Sequence, residues 1–106
     1  MPPGIDLNYF IRQANKLTEK IEQRKKELAE ETVEAQAGDG RVKVVANCTQ
    51  EVRSIKIDKS LVDPNDLGML EDLVTAAVNA ALASSRDKMQ RELGKISGGV
   101  KIPGVT

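Results

Sequence analysis

A chain of 106 residues with sixteen basic and sixteen acidic side chains carries no formal net charge and no histidine. That excludes a uniformly basic nucleic-acid binder and removes the commonest general base and metal ligand. Aromatic residues are 2% of the chain and Cys48 is its single cysteine, so no internal disulfide can form, as suits a reducing cytoplasm, and the core of one domain's length must be aliphatic. So thin a core favours burying the remaining apolar surface against a second copy, since two-fold homodimers are the commonest oligomers.

The chain opens with a helical pattern from Asp6 to about Glu31. Leu7, Phe10, Ala14, Leu17, Ile21 and Leu28 recur at spacings of three and four, a heptad-like stripe with one gap at Arg24. Asp6 is placed to cap it, and Glu22–Lys26 and Lys26–Glu30 are pairs four apart. At ~1.5 Å per residue the helix is roughly 40 Å long, so one end is expected to project from so small a domain.

Thr32–Ala37 alternates as a strand. Gly38–Gly40, "GDG", is a turn of residues that tolerate positive φ. Arg41–Asn47 forms a second strand, with Val42, Val44 and Ala46 on one face and Arg41 and Lys43 on the other. Asn47–Gln50 reads as a second turn and Glu51–Asp58 as a third strand. Ile55 and Ile57 share a face from which Val52 is out of phase. Either a bulge shifts the register or both faces of this strand are partly covered.

Pro64 forbids a helix through the connector Asp58–Asp66. Asn65 or Asp66 then caps a last helix running to about Lys95. Its stretch Leu70–Ser85 is apolar over an arc of roughly 200°. Leu70, Leu73, Val74, Ala77, Val78 and Ala81 suit a cover for the strands. Ala76 and Ala80, on the flank, are candidate homodimer contacts, with packing on the first helix as the alternative. The order is α-β-β-β-α, an α+β fold with a three-stranded antiparallel sheet and two long helices. The domain spans 1–96, and the glycine- and proline-containing segment 97–106 is expected to be a flexible tail. No apolar run is expected to reach membrane-spanning length, and "MPPGIDLNYF" does not read as a signal peptide.

Catalytic readings find little support. One cysteine without histidine makes neither a thiol-protease pair nor a zinc site. Glu71 and Asp72 are adjacent, ~100° apart on a helix, and their place in the first turn suits the helix dipole. "GDGR" is too short for a phosphate loop and opens a strand. No enzyme, metal, cofactor or small-molecule substrate is expected.

The basic residues are more telling. Arg12, Lys16, Lys20 and Arg24 are each four apart and form one ridge. Spacing alone also admits a solvated face paired with Glu19, Glu22 and Glu27. On the last helix, the sector that holds Leu73, Ala77, Ala81 and Ser84 holds Lys88, Arg91 and Lys95 beyond Ser85. A buried face that turns basic suggests a helix leaving the core. Two such ridges suit phosphate contacts, which give affinity without reading sequence. Aromatics are not interleaved with these charges, against single-strand stacking.

"GDGRVKVVAN", "VRSIKID" and "SLVDPNDLGMLEDLVTAAVNAA", in this order and spacing, resemble the YbaB/EbfC family of bacterial nucleoid-associated DNA-binding proteins over most of the chain. The resemblance implies an α-β-β-β-α protomer, a tweezer-shaped homodimer in the cytoplasmic nucleoid, and double-stranded DNA bound by the projecting helices. Here that means Arg12, Lys16, Lys20, Arg24, Lys88, Arg91 and Lys95, with effects on gene expression and nucleoid organisation and no membrane partner. The sequence departs at Asn47-Cys48, where the family commonly has Asn-Gly, which puts a type I′ turn in question. It departs again at Asp58-Lys59-Ser60, where the family often has Asp-Pro-Ser. The competing reading is a protein-interaction adaptor without direct DNA binding, recruiting partner helices through the heptad stripe.

Overall fold

The computed structural model describes residues 6–98; the expected flexible tail lies outside the described residues from Gly99 onward. The elements are α1 (Leu7–Leu28), β1 (Thr32–Ala37), β2 (Val42–Asn47), β3 (Val52–Ile57), a single 3-10 turn at Lys59–Leu61, and α2 (Leu67–Ile96). The strands form an antiparallel meander in the order β1-β2-β3. The expected α-β-β-β-α architecture is therefore present. Each helix starts at an aspartate: Asp6 accepts from the Asn8 amide at 2.9 Å, and Asp66 from the Met69 amide at 3.3 Å, quenching N–H groups that have no partner inside the helix.

The first hairpin turns through three successive left-handed residues, Gly38 (φ +62°), Asp39 (+55°) and Gly40 (+81°), a conformation open to glycine and tolerated by aspartate. In the second turn the left-handed residue is Gln50 (φ +66°), not Cys48. The Asn47 side chain organises this turn. Its Oδ1 accepts from the Thr49 amide at 3.1 Å and the Glu51 amide at 2.8 Å, and its Nδ2 donates to the Ala29 carbonyl at 3.1 Å.

The phase problem on β3 is resolved by a bulge. Val45 lies opposite Ser54, but Ala46 lies opposite Val52, so Arg53 is the extra residue. Residues opposite one another share a face. Val52, Ile55 and Ile57 therefore all lie on the side of Ala46, Val44 and Val42.

That side is covered by α2, across β1 and β2. Val42, Val44, Ala46, Ala77 and Ala81 are fully buried with Leu61, and Leu70, Leu73, Val74 and Val78 pack around them. The alanines let the helix backbone approach the sheet closely. By length and composition α2 could cross a membrane, its most apolar 18-residue window having a mean hydropathy of 1.2. The expectation that no segment is long and apolar enough thus needs correction; what α2 covers with that apolar face is the sheet.

Beyond Ser85 the helix leaves the sheet, as its change of face suggests, but it does not leave the protein interior. A second cluster takes over, with Ile21, Leu28, Cys48 and Leu93 buried and Leu17, Val33, Met89 and Ile96 packed on it. Here α1 is the partner. The side of α2 that meets it carries Met89, Leu93 and Ile96, while Lys88, Arg91 and Lys95 occupy the sector that had faced the strands.

Candidate nucleic-acid interface

α1 projects because α2 is too short to cover it. The two helices run antiparallel, with Glu31 beside Lys88 and Arg24 beside Glu92. α2 ends at Ile96, in an open groove of about 470 Å³ lined also by Lys16, Glu19, Lys20, Gln23, Arg24 and Glu27. From Leu7 to Lys20 every residue except Leu17 is exposed.

On this arm, Arg12, Lys16 and Lys20 form no ion pair among the described residues. Of the acids that could have neutralised the ridge, Glu19 forms no ion pair among the described residues and the other two act elsewhere. Glu22 lies 3.7 Å from Lys25, and Glu27 lies 3.1 Å from Arg24. Spaced four apart, the three cations line one side of the helix.

Arg24 differs. It fills the gap in the heptad stripe and so points into the seam between the helices. Its Nη1 donates to Glu31 Oε2 at 2.5 Å and Glu27 Oε1 at 3.1 Å, and its Nη2 donates to Glu92. Lys88 Nζ lies 3.2 Å from Glu31, and Lys95 Nζ lies 2.5 Å from Glu92. The charges tune one another. Hydrogen bonds from Lys95 and then Arg24 hold the Glu92 carboxyl down to about 2. Those from Arg24 and then Lys88 lower Glu31. Glu31 and then Glu92 raise Arg24 further above its usual value.

The seven candidate cations thus differ in how far acids engage them. Arg24 and Lys88 are engaged by carboxylates that join α1 to α2. Arg12, Lys16 and Lys20 are open on the arm. Arg91 is exposed, with Nε donating to the Asp87 carbonyl at 3.4 Å. Lys95 keeps 73% of its side chain exposed despite its contact with Glu92. Ala76 and Ala80 are also exposed. Helical spacing continues their flank to Ser84, Asp87 and Arg91, which border a shallow hollow beside Val33 of β1.

The other margin of α2 leaves more apolar surface open. Val52, Ile55 and Ile57 remain 40%, 43% and 42% exposed on the core-side face of β3. The sequence placed Ile55 and Ile57 together, but nothing in it showed that α2 stops short of their strand.

Cys48 is buried, and burial pushes its thiol up, which disfavours the reactive thiolate. Among the described residues no group of three or more acidic, cysteine or histidine side chains is placed to hold a metal ion.

Two helices and a three-stranded sheet, one helix standing clear with an unpaired basic ridge, define a class of small α+β proteins with basic helical arms. Residues 3–100 match the YbaB/EbfC DNA-binding family, and the chain belongs to that family. It is 81% identical over 104 residues to a nucleoid-associated protein of Myxococcus xanthus, covering 98% of this chain and 99% of that one. It is 46% identical over 101 residues to a nucleoid-associated protein of Anaeromyxobacter dehalogenans, covering 95% and 98%. The crystal structure of an uncharacterized Helicobacter pylori protein superposes with a TM-score of 0.76 at 17% identity, over 89% of this chain and 99% of that one. That likeness is one of fold.

Proposed function

We propose that the protein is a nucleoid-associated binder of double-stranded DNA in the bacterial cytoplasm, acting as a homodimer and influencing nucleoid organisation and gene expression. The observation that carries this reading is the unpaired ridge Arg12, Lys16 and Lys20 on an exposed arm. Cations at this spacing, with no ion-pair partner among the described residues, suit a row of phosphates. Arg91 and the exposed Lys95 add contacts from α2. Arg24 and Lys88 serve chiefly to hold the two helices together, so their share in binding is indirect. Contacts of this kind give affinity with little sequence preference.

Dimerisation is supported by the open edge of β3. A strand with an unpaired edge and an exposed apolar face is a template for another strand. Pairing two β3 strands about a two-fold axis would continue the sheet and bring the Val52, Ile55 and Ile57 stripes together. Ala76 and Ala80 offer a second, smaller contact on the opposite flank of α2. Two arms on one dimer would then embrace a duplex.

A gel-shift titration on random duplex DNA tests the reading. Affinity should fall steeply between low and physiological salt, because binding releases counterions. A flat salt response would overturn phosphate binding, and no shift at low salt would favour the adaptor.

A further inference from the structure

The sheet has a second face. Residues opposite one another share a face, so the side turned away from α2 carries Glu34 and Gln36 of β1, Lys43 and Val45 of β2, and Ser54 and Lys56 of β3. Among the described residues neither helix covers it. α2 packs on Val42, Val44 and Ala46 of the other face, and α1 meets α2 beyond the sheet. Of these six side chains only Val45 is partly shielded; the rest are exposed.

On this face Lys43 lies directly opposite Lys56. Opposed like charges weaken a sheet, and neither lysine forms an ion pair among the described residues. The acids on the same side are engaged by other groups. Glu34 accepts from Gln36 Nε2 at 3.1 Å. Asp58 accepts from the Ser60 amide at 2.8 Å and lies beside Arg41 at the end of the ladder. Arg53, the bulge residue, donates to the Ala29 carbonyl at 3.1 Å. A local conflict that the fold tolerates without a compensating contact points to use rather than to packing. Pairing of two β3 strands, as proposed above, would put the lysine pairs of both copies on one continuous face.

A flat, exposed surface with paired ammonium groups is complementary to a polyanion. The aromatic residues of the chain, Tyr9 and Phe10, lie on α1, so this face has no platform for stacking the bases of a single strand. Lysine is a point charge that meets phosphate without reading bases. The arm is tied to α2, on the far side of the sheet from these lysines. A duplex, stiff over roughly 150 base pairs, does not fold round the sheet to meet both. We propose that the solvent face of the sheet, through Lys43 and Lys56, is a second and weaker duplex-binding surface, so that a protein holding one duplex by its arms joins it to another. This rests on the DNA-binding reading and adds bridging to it.

The experiment uses the full chain, a biotinylated duplex on beads and a fluorescent duplex of unrelated sequence in solution, at low salt. Wild-type protein is expected to bind the immobilised duplex and to retain the fluorescent one. Retention should disappear at lower salt than binding to the first duplex, because fewer phosphates are neutralised. Lys43→Gln with Lys56→Gln is expected to bind a single duplex and to sediment as the wild type does, yet to lose the fluorescent duplex. Its melting temperature should equal or exceed that of the wild type, because an opposed like-charge pair is gone. Binding of the first duplex by the wild type without retention of the second would overturn bridging and leave the arm reading standing. Retention by the double variant would assign both duplexes to the arms and overturn the second surface. A loss of single-duplex affinity in the double variant would place Lys43 and Lys56 on the same duplex as the arms and overturn it equally. Absence of binding to the first duplex would overturn the DNA-binding reading as well.

Discussion

Arg24 on α1 and Glu92 on α2, 68 residues apart in the chain, form an ion pair that ties the base of the projecting arm to the end of the long helix. Glu31 joins them by accepting from Arg24 and lying 3.2 Å from Lys88. The arm's direction is set by this cluster together with Leu93 and Leu28 beneath it. A cation inside the seam is tolerable because three carboxylates, Glu27, Glu31 and Glu92, reach it; removing the cation would leave them facing one another uncompensated.

Acid should loosen this joint. Glu92 is held down to about 2 and Glu31 is also lowered, whereas free glutamate titrates near ~4.3. Carboxyls depressed in the folded state contribute stability that is fully present above the unfolded value and is lost as pH falls through the folded one. The melting temperature of the wild type should therefore fall on going from pH 5 to pH 2. Glu92→Gln should melt lower at pH 7 and lose less over the same range. Equal acid slopes for the two proteins would refute a contribution from Glu92.

A second joint is neutral. Ser85 is fully buried where α2 leaves the sheet, and its hydroxyl donates to the Asn47 carbonyl at 2.7 Å while accepting from the Gln50 amide at 3.1 Å. Ser85→Ala removes the hydroxyl from both groups and leaves the Gln50 amide its 3.3 Å hydrogen bond to the Asn47 carbonyl. Losing hydrogen bonds of this kind costs about 1 kcal/mol. Urea denaturation should show a lower midpoint with an unchanged slope; a midpoint matching the wild type would mean that water replaces the hydroxyl.

These two joints show where the sequence was readable. Strand and helix ends follow from local chemistry: Asp6 and Asp66 as caps, Gly38–Gly40 as a turn, and the alternation of Val42, Val44 and Ala46 as a buried face. Val52 was visibly out of phase, but a bulge is a property of the ladder, and only the pairing of Ala46 with Val52 identifies Arg53 as the extra residue. Arg24 looked like one more member of a basic ridge. Its different role depends on Glu31 and Glu92, seven and 68 positions away, and no periodicity links them. Cys48 at the turn suggested backbone difficulty, yet the left-handed conformation falls on Gln50, and Cys48 instead fills the second core. The uncovered face of β3 was equally hidden, because alternation tells which residues share a face but not how far a helix extends across it.

The β3 stripe yields a test of the dimer. Ile55 is 43% exposed in the protomer, so Ile55→Asp should leave the fold intact while placing a charge where two stripes would meet. Sedimentation is expected to show a dimer for the wild type and a monomer for this variant at micromolar concentration, with unchanged circular dichroism. DNA affinity should fall with dimerisation, because the second arm's contacts are no longer held at high local concentration. If Ile55→Asp stays dimeric while Ala80→Asp dissociates, the interface lies on the α2 flank instead.

The division of the basic residues into open and engaged groups is testable through salt dependence. Each phosphate neutralised on duplex DNA contributes about −0.9 to the slope of log affinity against log salt. Replacing Arg12, Lys16 or Lys20 by Gln should make that slope less steep by roughly one per arm in contact, or about two for a dimer with both arms bound, while leaving the melting temperature near that of the wild type. Lys88→Gln should behave the other way round. It removes a cation from Glu31 at 3.2 Å, so it should lower the melting temperature and change the salt slope little. A Lys88→Gln slope change as large as that of Lys16→Gln, with unaltered melting, would show that Lys88 reaches phosphate directly and that its contact with Glu31 yields when DNA binds.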